Sequence, residues 1–409
     1  MKFRFTILLV IFFSLSSFAQ RQKPEDSPLY EEVVKMFGYG RDCPDSALLI
    51  ARKLLSLADK DDDYIHIKAN FIIGLTFNYR NVHDSAVFYY LEAMKFARRK
   101  RYVNSDRNLV YILYNCGNVL RANDYNRLAE RFYRESLAIA KTTNDTIRRL
   151  KSTYNLSVTL GELNDFSKAI GVVNEAIKLS KESNIAFPEL YMSLGEYHIK
   201  IGEFKKGIKI LSQLVTDSIN WNTKVALHAY YYLSKAYSKQ GDSNLAEEVL
   251  KRAITMDPNT SFNGYFYCLY ELGVLFKQRG GVKEAIDYFT KAENYVEDNP
   301  ENQREFFEIF QQLSNLHRPT NMKLADTYHQ KYLDALDKYT NNHRRYNLGK
   351  VVEDYYANIE QEEREANVRT YSIVISGSLL VLLGLTFSVS RYQRHRTKKK
   401  LEKESIDKR

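Results

Sequence analysis

Apolar residues recur at spacings of three and four from about residue 28 to residue 340, and no window alternates with a period of two. That spacing gathers the apolar positions on one face of a helix. The pattern predicts an all-α protein made of short amphipathic segments. Two stretches break it with continuous apolar runs. Phe5–Phe13 follows Lys2 and Arg4 and precedes the small residues from Ser14 to Ala19. This is the layout of a secretory signal peptide over residues 1–19, cut between Ala19 and Gln20. Its apolar core is shorter than the roughly 20 residues that span a bilayer. An uncleaved N-terminal anchor is the alternative.

The second run, Tyr371–Ser390, carries no charge. At about 1.5 Å per residue it covers about 30 Å, the thickness of the hydrocarbon layer. It predicts a transmembrane helix over residues 371–390. Glu360, Glu362, Glu363 and Glu365 precede it, and Arg391, Arg394, Arg396, Lys398, Lys399 and Lys400 follow at once. Basic residues stay on the cytoplasmic side. The expected topology is single-pass in a bacterial inner membrane, with the repeat region periplasmic and a basic cytoplasmic tail over residues 391–409. The signal peptide independently gives the same orientation.

The segments between these runs repeat. Ile73-Gly74, Cys116-Gly117, Leu156-Ser157, Leu194-Gly195, Leu233-Ser234, Leu272-Gly273 and Leu313-Ser314 are separated by 43, 40, 38, 39, 39 and 41 residues. A turn follows each time, as at Asn164-Asp165-Phe166, Gly202-Glu203-Phe204, Gly241-Asp242 and Gly280-Gly281. A small residue then opens a second helix: Ala86, Ala129, Ala169, Gly207, Ala246, Ala285 or Ala325. One turn on stands a bulky residue, Tyr90, Tyr133, Val173, Leu211, Leu250 or Phe289, and another turn on Ala93, Ala176, Ala253 or Ala292. Pro258 ends one hairpin.

On these residues the chain resembles the tetratricopeptide family over about three quarters of its length. Ala246/Leu250/Ala253/Pro258 and Gly273/Phe276/Ala285/Phe289/Ala292 are the clearest matches. The period exceeds the family's usual ~34 residues. The tryptophan expected early in each repeat is replaced by Leu113, Tyr191, Tyr230, Leu269 or Phe310. The resemblance implies a right-handed solenoid of helical hairpins over residues 20–340, with about seven repeats behind an N-terminal cap around Asp45 to Ala58. A capping and stalk helix over residues 341–370 is expected to run without a break into the membrane segment. Its apolar stripe is Tyr346, Leu348, Val351, Val352, Tyr355, Tyr356 and Ile359.

Charge and chemistry narrow the function. The net charge of +10 comes largely from the tail and the N-terminus, since Arg391–Arg409 alone holds nine basic and three acidic residues. The basic excess therefore marks topology, and no nucleic-acid partner is expected within this chain. None of the eight histidines stands in a metal-ligand or catalytic spacing, and no phosphate-binding glycine loop occurs. No enzyme activity, metal or cofactor is expected. Cys116 and Cys268 read as small core residues, with one disulfide plus one free thiol as the alternative. Asp45-Ser46, Asp84-Ser85 and Asp145-Thr146 resemble an exported-protein glycosylation motif, but each stands where a helix should begin, and capping is the better reading.

In the tetratricopeptide family peptide ligands lie on the concave surface lined by the first helices. Three residues before the repeated Gly or Ser stand Phe71, Tyr114, Tyr154, Met192, Tyr231, Tyr270 and Gln311, and one residue after it stand Asn118 and Lys235 among others. Phe71, Tyr114, Asn118, Tyr154, Tyr231, Lys235 and Tyr270 are the candidate groove residues for a protein or peptide partner. The alternative is that the rings pack against neighbouring helices. The whole layout resembles the extracytoplasmic sensor half of bacterial membrane-anchored regulators, and nineteen residues after the span leave no room for their output domain. Three functions follow as expectations: a membrane-anchored interaction module acting as sensor or adaptor, a regulator truncated of its output, or a scaffold of an envelope complex.

Overall fold

The computed structural model describes residues 23–39, 43–216, 223–256, 263–298, 304–344 and 347–406. The signal-peptide segment and Pro258 lie outside these residues. Among the described residues the chain is helical without strands. A short N-terminal pair, α1 (Tyr30–Tyr39) and α2 (Pro44–Leu57), precedes the repeats. Seven hairpins follow. The first three are α3 (Asp63–Tyr79) with α4 (His83–Arg98), α5 (Ser105–Ala122) with α6 (Asn126–Thr142), and α7 (Thr146–Glu162) with α8 (Phe166–Glu182). Next come α9 (Pro188–Lys200) with α10 (Phe204–Thr216) and α11 (Thr223–Gln240) with α12 (Ser243–Met256). The last are α13 (Asn263–Gln278) with α14 (Val282–Asp298) and α15 (Arg304–His317) with α16 (Met322–Arg344). The architecture is the expected tetratricopeptide-like solenoid, and each hairpin packs on its neighbours.

The repeated Gly has a steric cause. A Cβ on Gly74 would lie 2.8 Å from the Tyr90 ring, one on Gly117 2.8 Å from Tyr133, one on Gly195 2.5 Å from Leu211, and one on Gly273 2.7 Å from Phe289. In every case the bulky partner stands sixteen residues later and is fully buried. Where that later residue is Val173 or Leu250, the first helix carries Ser157 or Ser234 in place of Gly, and both serines are fully buried. The second helix supplies the ring or branched chain, and the first helix must be small to receive it. A second close approach joins neighbouring hairpins: a Cβ on Gly161 would lie 2.7 Å from Tyr197, whose hydroxyl donates to the Ser157 carbonyl at 2.9 Å.

The turns follow an equally regular rule. Asn81, Asp124, Asn164, Gly202, Gly241 and Gly280 all have positive φ, between 55 and 88°. Each stands seven residues after the repeated Gly or Ser. The next backbone N–H reaches back five residues, as from Asp165 to the Leu160 carbonyl at 2.8 Å and from Gly281 to the Phe276 carbonyl at 2.9 Å. This is the left-handed C-terminal cap of a helix, which Gly, Asn and Asp adopt at least cost. Capping at the N-termini is more selective than the sequence suggests. Asp62, Asp145 and Asp165 accept backbone N–H groups as N-caps. Asp45 and Asp84 instead stand inside the first turn of α2 and α4. Asp45 pairs with Arg80, and Asp84 accepts from the Ser85 N–H at 2.7 Å. Cys116 and Cys268 are buried core residues without a disulfide, and Cys43 is exposed.

The last described helix, α17 (Leu348–Ile406), runs 59 residues, about 90 Å, without interruption. It starts later than the sequence pattern indicates, because α16 continues to Arg344. The chain divides at Gly349 and Lys350 into the hairpin array and a unit formed by the rest of α17. Within that unit Asn367–Thr397 is long and apolar enough to cross a membrane, with a mean hydropathy of 2.2. Its Ile373, Leu380 and Phe387 side chains are about 70% exposed, which in water would leave their apolar surface unburied.

Gly117→Val is expected to destabilise the array by about 3 kcal/mol, since Tyr133 is locked in place and overpacking forces it off its rotamer. Ser234→Ala, which removes a hydroxyl that donates to the Tyr231 carbonyl at 2.7 Å without adding bulk, is expected to cost less than about 1.5 kcal/mol. Thermal melts of the full chain followed by circular dichroism check the contrast. Equal midpoints for the two variants would refute the steric account.

Candidate functional site

From α3 through α13 each first helix packs against the first helix of the next hairpin, and no comparable packing joins successive second helices among the described residues. Helices of one type meet most closely on the inside of a curved stack, so the first helices form its inner wall. The candidate groove residues lie on these helices.

The rings are partly sheltered by their neighbours. Phe71 is the most withdrawn, at 5% exposure, with its ring 5.0 Å from Tyr111 and 5.7 Å from Tyr90. Tyr114 meets Tyr133 edge-on at 6.3 Å, and Tyr154 meets Phe187 edge-on at 5.6 Å. Tyr231 lies 4.9 Å from Tyr232 and 5.4 Å from Tyr267. Tyr270 packs between Phe266 and Phe289 at 6.0 and 5.5 Å. Tyr114, Tyr154, Tyr231 and Tyr270 remain half-buried, so each also offers part of its surface. Ring packing and exposure therefore coexist along the wall.

Polar side chains tie successive first helices together. Lys68 on α3 donates to Asn108 on α5 at 2.7 Å. The Asn118 carbonyl oxygen on α5 accepts from the Tyr133 hydroxyl and from the Asn155 amide on α7, both at 2.7 Å. Arg121 on α5 pairs with Glu162 on α7 at 2.6 Å. Glu196 on α9 is hydrogen-bonded to Tyr232 on α11. Lys235 on α11 pairs with Glu271 on α13 at 2.8 Å and sits 5.5 Å above the Tyr231 ring. Gln312 on α15 donates to the Tyr270 hydroxyl at 3.4 Å and accepts from Lys277 at 2.8 Å. Asn118 and Lys235 are thus committed to the wall itself.

A cavity of about 450 Å³ opens at the middle of the wall, lined by Tyr154, Glu162, Glu196, Tyr197, His228 and Tyr232 among others. Of the candidate residues it gathers only Tyr154. Burial pushes the Glu196 carboxyl above its ordinary range, and Glu162 adds to the shift, while the Tyr232 hydroxyl and Lys200 oppose it. Burial likewise raises Glu162, against the pull of Arg121. Tyr154 is pushed up to about 12 by burial and by Glu189 and Glu196. Burial lowers His228 to about 4, so its imidazole is neutral near pH 7. The lining combines aromatic faces, hydroxyls and desolvated carboxyls, which suits hydrogen bonding to a polar chain laid along the wall.

Sequence reasoning missed Arg121, Glu162, Tyr232 and Glu271. The signal was available. Tyr232 and Glu271 stand two residues before the repeated Ser234 and Gly273, and Arg121 and Glu162 stand four and five residues after Gly117 and Ser157. Together with the position one residue after the repeated Gly or Ser, these fall on a single stripe of each helix at spacings of three and four.

Residues 227–260, within α11 and α12 and the segment after them, match the tetratricopeptide repeat family. The chain thus carries a tetratricopeptide repeat within a tetratricopeptide-like solenoid. This repeat protein is 22% identical over 153 residues to response regulator aspartate phosphatase E of Bacillus subtilis (strain 168). That match takes in 36% of the chain and 41% of the relative's length. Among solved structures it is similar to the apo form of RapI, with a TM-score of 0.57 at 15% identity, covering 81% of this chain and 92% of that one. It is also similar to the apo form of the quorum sensor NprR from B. thuringiensis, with a TM-score of 0.58 at 12% identity over 75% and 87% of the two chains. At these identities the likeness establishes the fold of the repeat protein.

His228 gives the inner wall a pH signature. Its pKa is about 4 in the folded chain and about 6.5 unfolded. Between those values the unfolded state binds more protons, so stability falls as the pH drops from about 6.5 to 4. The loss is expected to approach about 3 kcal/mol. Urea unfolding of the full chain at several pH values, compared with His228→Gln, isolates this contribution. Parallel pH profiles for the two would refute the buried neutral imidazole.

Proposed function

We propose that this protein is a membrane-anchored, extracytoplasmic interaction module that holds a protein or peptide along its inner wall. The observation that carries the reading is the set of half-buried tyrosines Tyr114, Tyr154, Tyr231 and Tyr270 on α5, α7, α11 and α13, with buried Met192 at the same position on α9 and polar cross-links between the helices. Such a surface offers ring faces for side chains and hydrogen-bonding groups for a backbone. The likeness in fold to a protein described as a quorum sensor supports a sensing role for the module. The exposed apolar stretch of α17 supports anchoring, and the basic residues from Arg391 onward support a cytoplasmic C-terminus.

Two measurements test the two halves of this reading. Tyr154→Ala combined with Tyr231→Ala removes two ring faces from the wall. It is expected to weaken crosslinked partner recovery from intact cells at least tenfold while the helical circular-dichroism signal persists. Undiminished recovery would remove the groove from consideration. For topology, a green fluorescent protein fused after Arg409 is expected to fluoresce, since that reporter folds in the cytoplasm. A dark but full-length membrane fusion would reverse the orientation.

A further inference from the structure

A second cavity lies at the N-terminal end of the array, between α1, α3, α5 and the start of α7. It measures about 280 Å³. Its walls combine rings and cations: Phe37, Phe71 and Tyr111 stand beside Lys68, Arg107 and Arg148. The Lys68 ammonium lies 5.4 Å from the Phe37 ring and donates to Asn108. Among the described residues it forms no ion pair. The Arg148 guanidinium lies 5.1 Å from the Tyr111 ring, and its buried Nε makes no hydrogen bond. The nearby carboxylate is already used. Asp145 caps α7 by accepting the Arg148 backbone N–H at 3.0 Å and pairs with the Arg148 side chain. Three cations thus surround the cavity against one committed carboxylate.

We infer that this cavity is a binding site for a small organic anion, an oxyanion carried on a flat apolar body such as an aromatic carboxylate. The cations and the two asparagines at its rim, Asn104 and Asn108, supply charge and donors for the oxyanion. The aromatic walls supply faces for the body. The volume, at the lower edge of ordinary ligand pockets, suits a compact molecule. Burial and the charge of Arg148 together hold the Lys68 ammonium down to about 8, a cost that a bound anion would relieve. The site does not depend on the groove reading, because it needs no partner on the tyrosine stripe.

The test uses the full chain in detergent and benzoate as the probe, followed by ligand-observed nuclear magnetic resonance. Benzoate is expected to bind saturably, and neutral benzamide at least tenfold more weakly. Lys68→Met is expected to lose at least tenfold in benzoate affinity while melting no lower than the parent, since it removes a desolvated charge. Arg107→Gln, at the exposed mouth, is expected to weaken benzoate without perturbing the fold and keeps the test intact if Lys68→Met misfolds. Equal binding of benzamide would overturn the anion site, as would unchanged affinity in both variants. Inorganic sulfate binding as tightly as benzoate would overturn the apolar-body requirement. Equal binding of a blocked tripeptide with a central glutamate would assign the cavity to an acidic side chain of a protein partner and overturn the small-molecule assignment.

Discussion

The first six hairpins rest on one interaction: a bulky side chain on the second helix set opposite a small residue sixteen positions earlier on the first. Tyr90, Tyr133, Leu211 and Phe289 leave no space for a Cβ on Gly74, Gly117, Gly195 and Gly273. The interaction fixes the approach of the two helices and their relative height at once, because a shift of either by one residue would set a side chain against the ring. The left-handed turn residue, seven positions after the Gly, follows from the same constraint. With helix height fixed, the chain must reverse at one place, and only residues tolerant of positive φ can stand there. Where the opposing residue is an aromatic ring, the small partner is Gly at Gly74, Gly117 and Gly273; opposite an aliphatic chain it is Gly195 or a Ser. Ser157 and Ser234 occur where the opposing residue is Val173 or Leu250, so no ring faces a serine in these pairs.

This is why the fold was legible in the sequence. Both partners of the defining interaction and the turn between them fall within about twenty residues, so the period of near 40 exposes them directly. The two buried cysteines were legible for a related reason, since their helical phase places them on the packed face. N-capping was less so. Asp145 caps α7, whereas Asp45 and Asp84, in a similar local context, fall inside their helices. At α2 the helix already begins at Pro44, whose fixed φ suits a first helical position.

The inner wall was legible only in part. The aromatic column at Tyr114, Tyr154, Tyr231 and Tyr270 could be read from the repeat register. Its polar partners share that register, but which of them pair is not visible in it, because each pair joins residues about 40 apart whose types are ordinary on a helix surface. Arg121 and Glu162 look like solvated charges until the two first helices are brought side by side. Lys235 reads as a groove residue from its position, yet its charge is spent on Glu271, itself only 7% exposed. A long-range pair of this kind is a property of the stack, not of the hairpin, and the repeat pattern encodes the hairpin.

The wall and the core therefore answer to different demands. The size-matched pairs need no polar group at the inner surface, and the hairpins would close without Lys68, Glu162 or Glu196. Each of these is nevertheless held against its desolvation cost: burial pushes the lysine down and the two carboxyls up. Groups that weaken the folded state and take no part in its defining interaction are better accounted for by what they do at the surface. The direction of the cost also separates two regions. Near α3 and α5 the strained group is a cation short of counter-charge, whereas at α7 to α11 the strained groups are carboxyls among hydroxyls and rings. A ligand that relieves one cannot relieve the other. The inner wall is thus chemically polarised along its length, and a single extended partner would have to present acidic and donor groups in a fixed order to satisfy both ends.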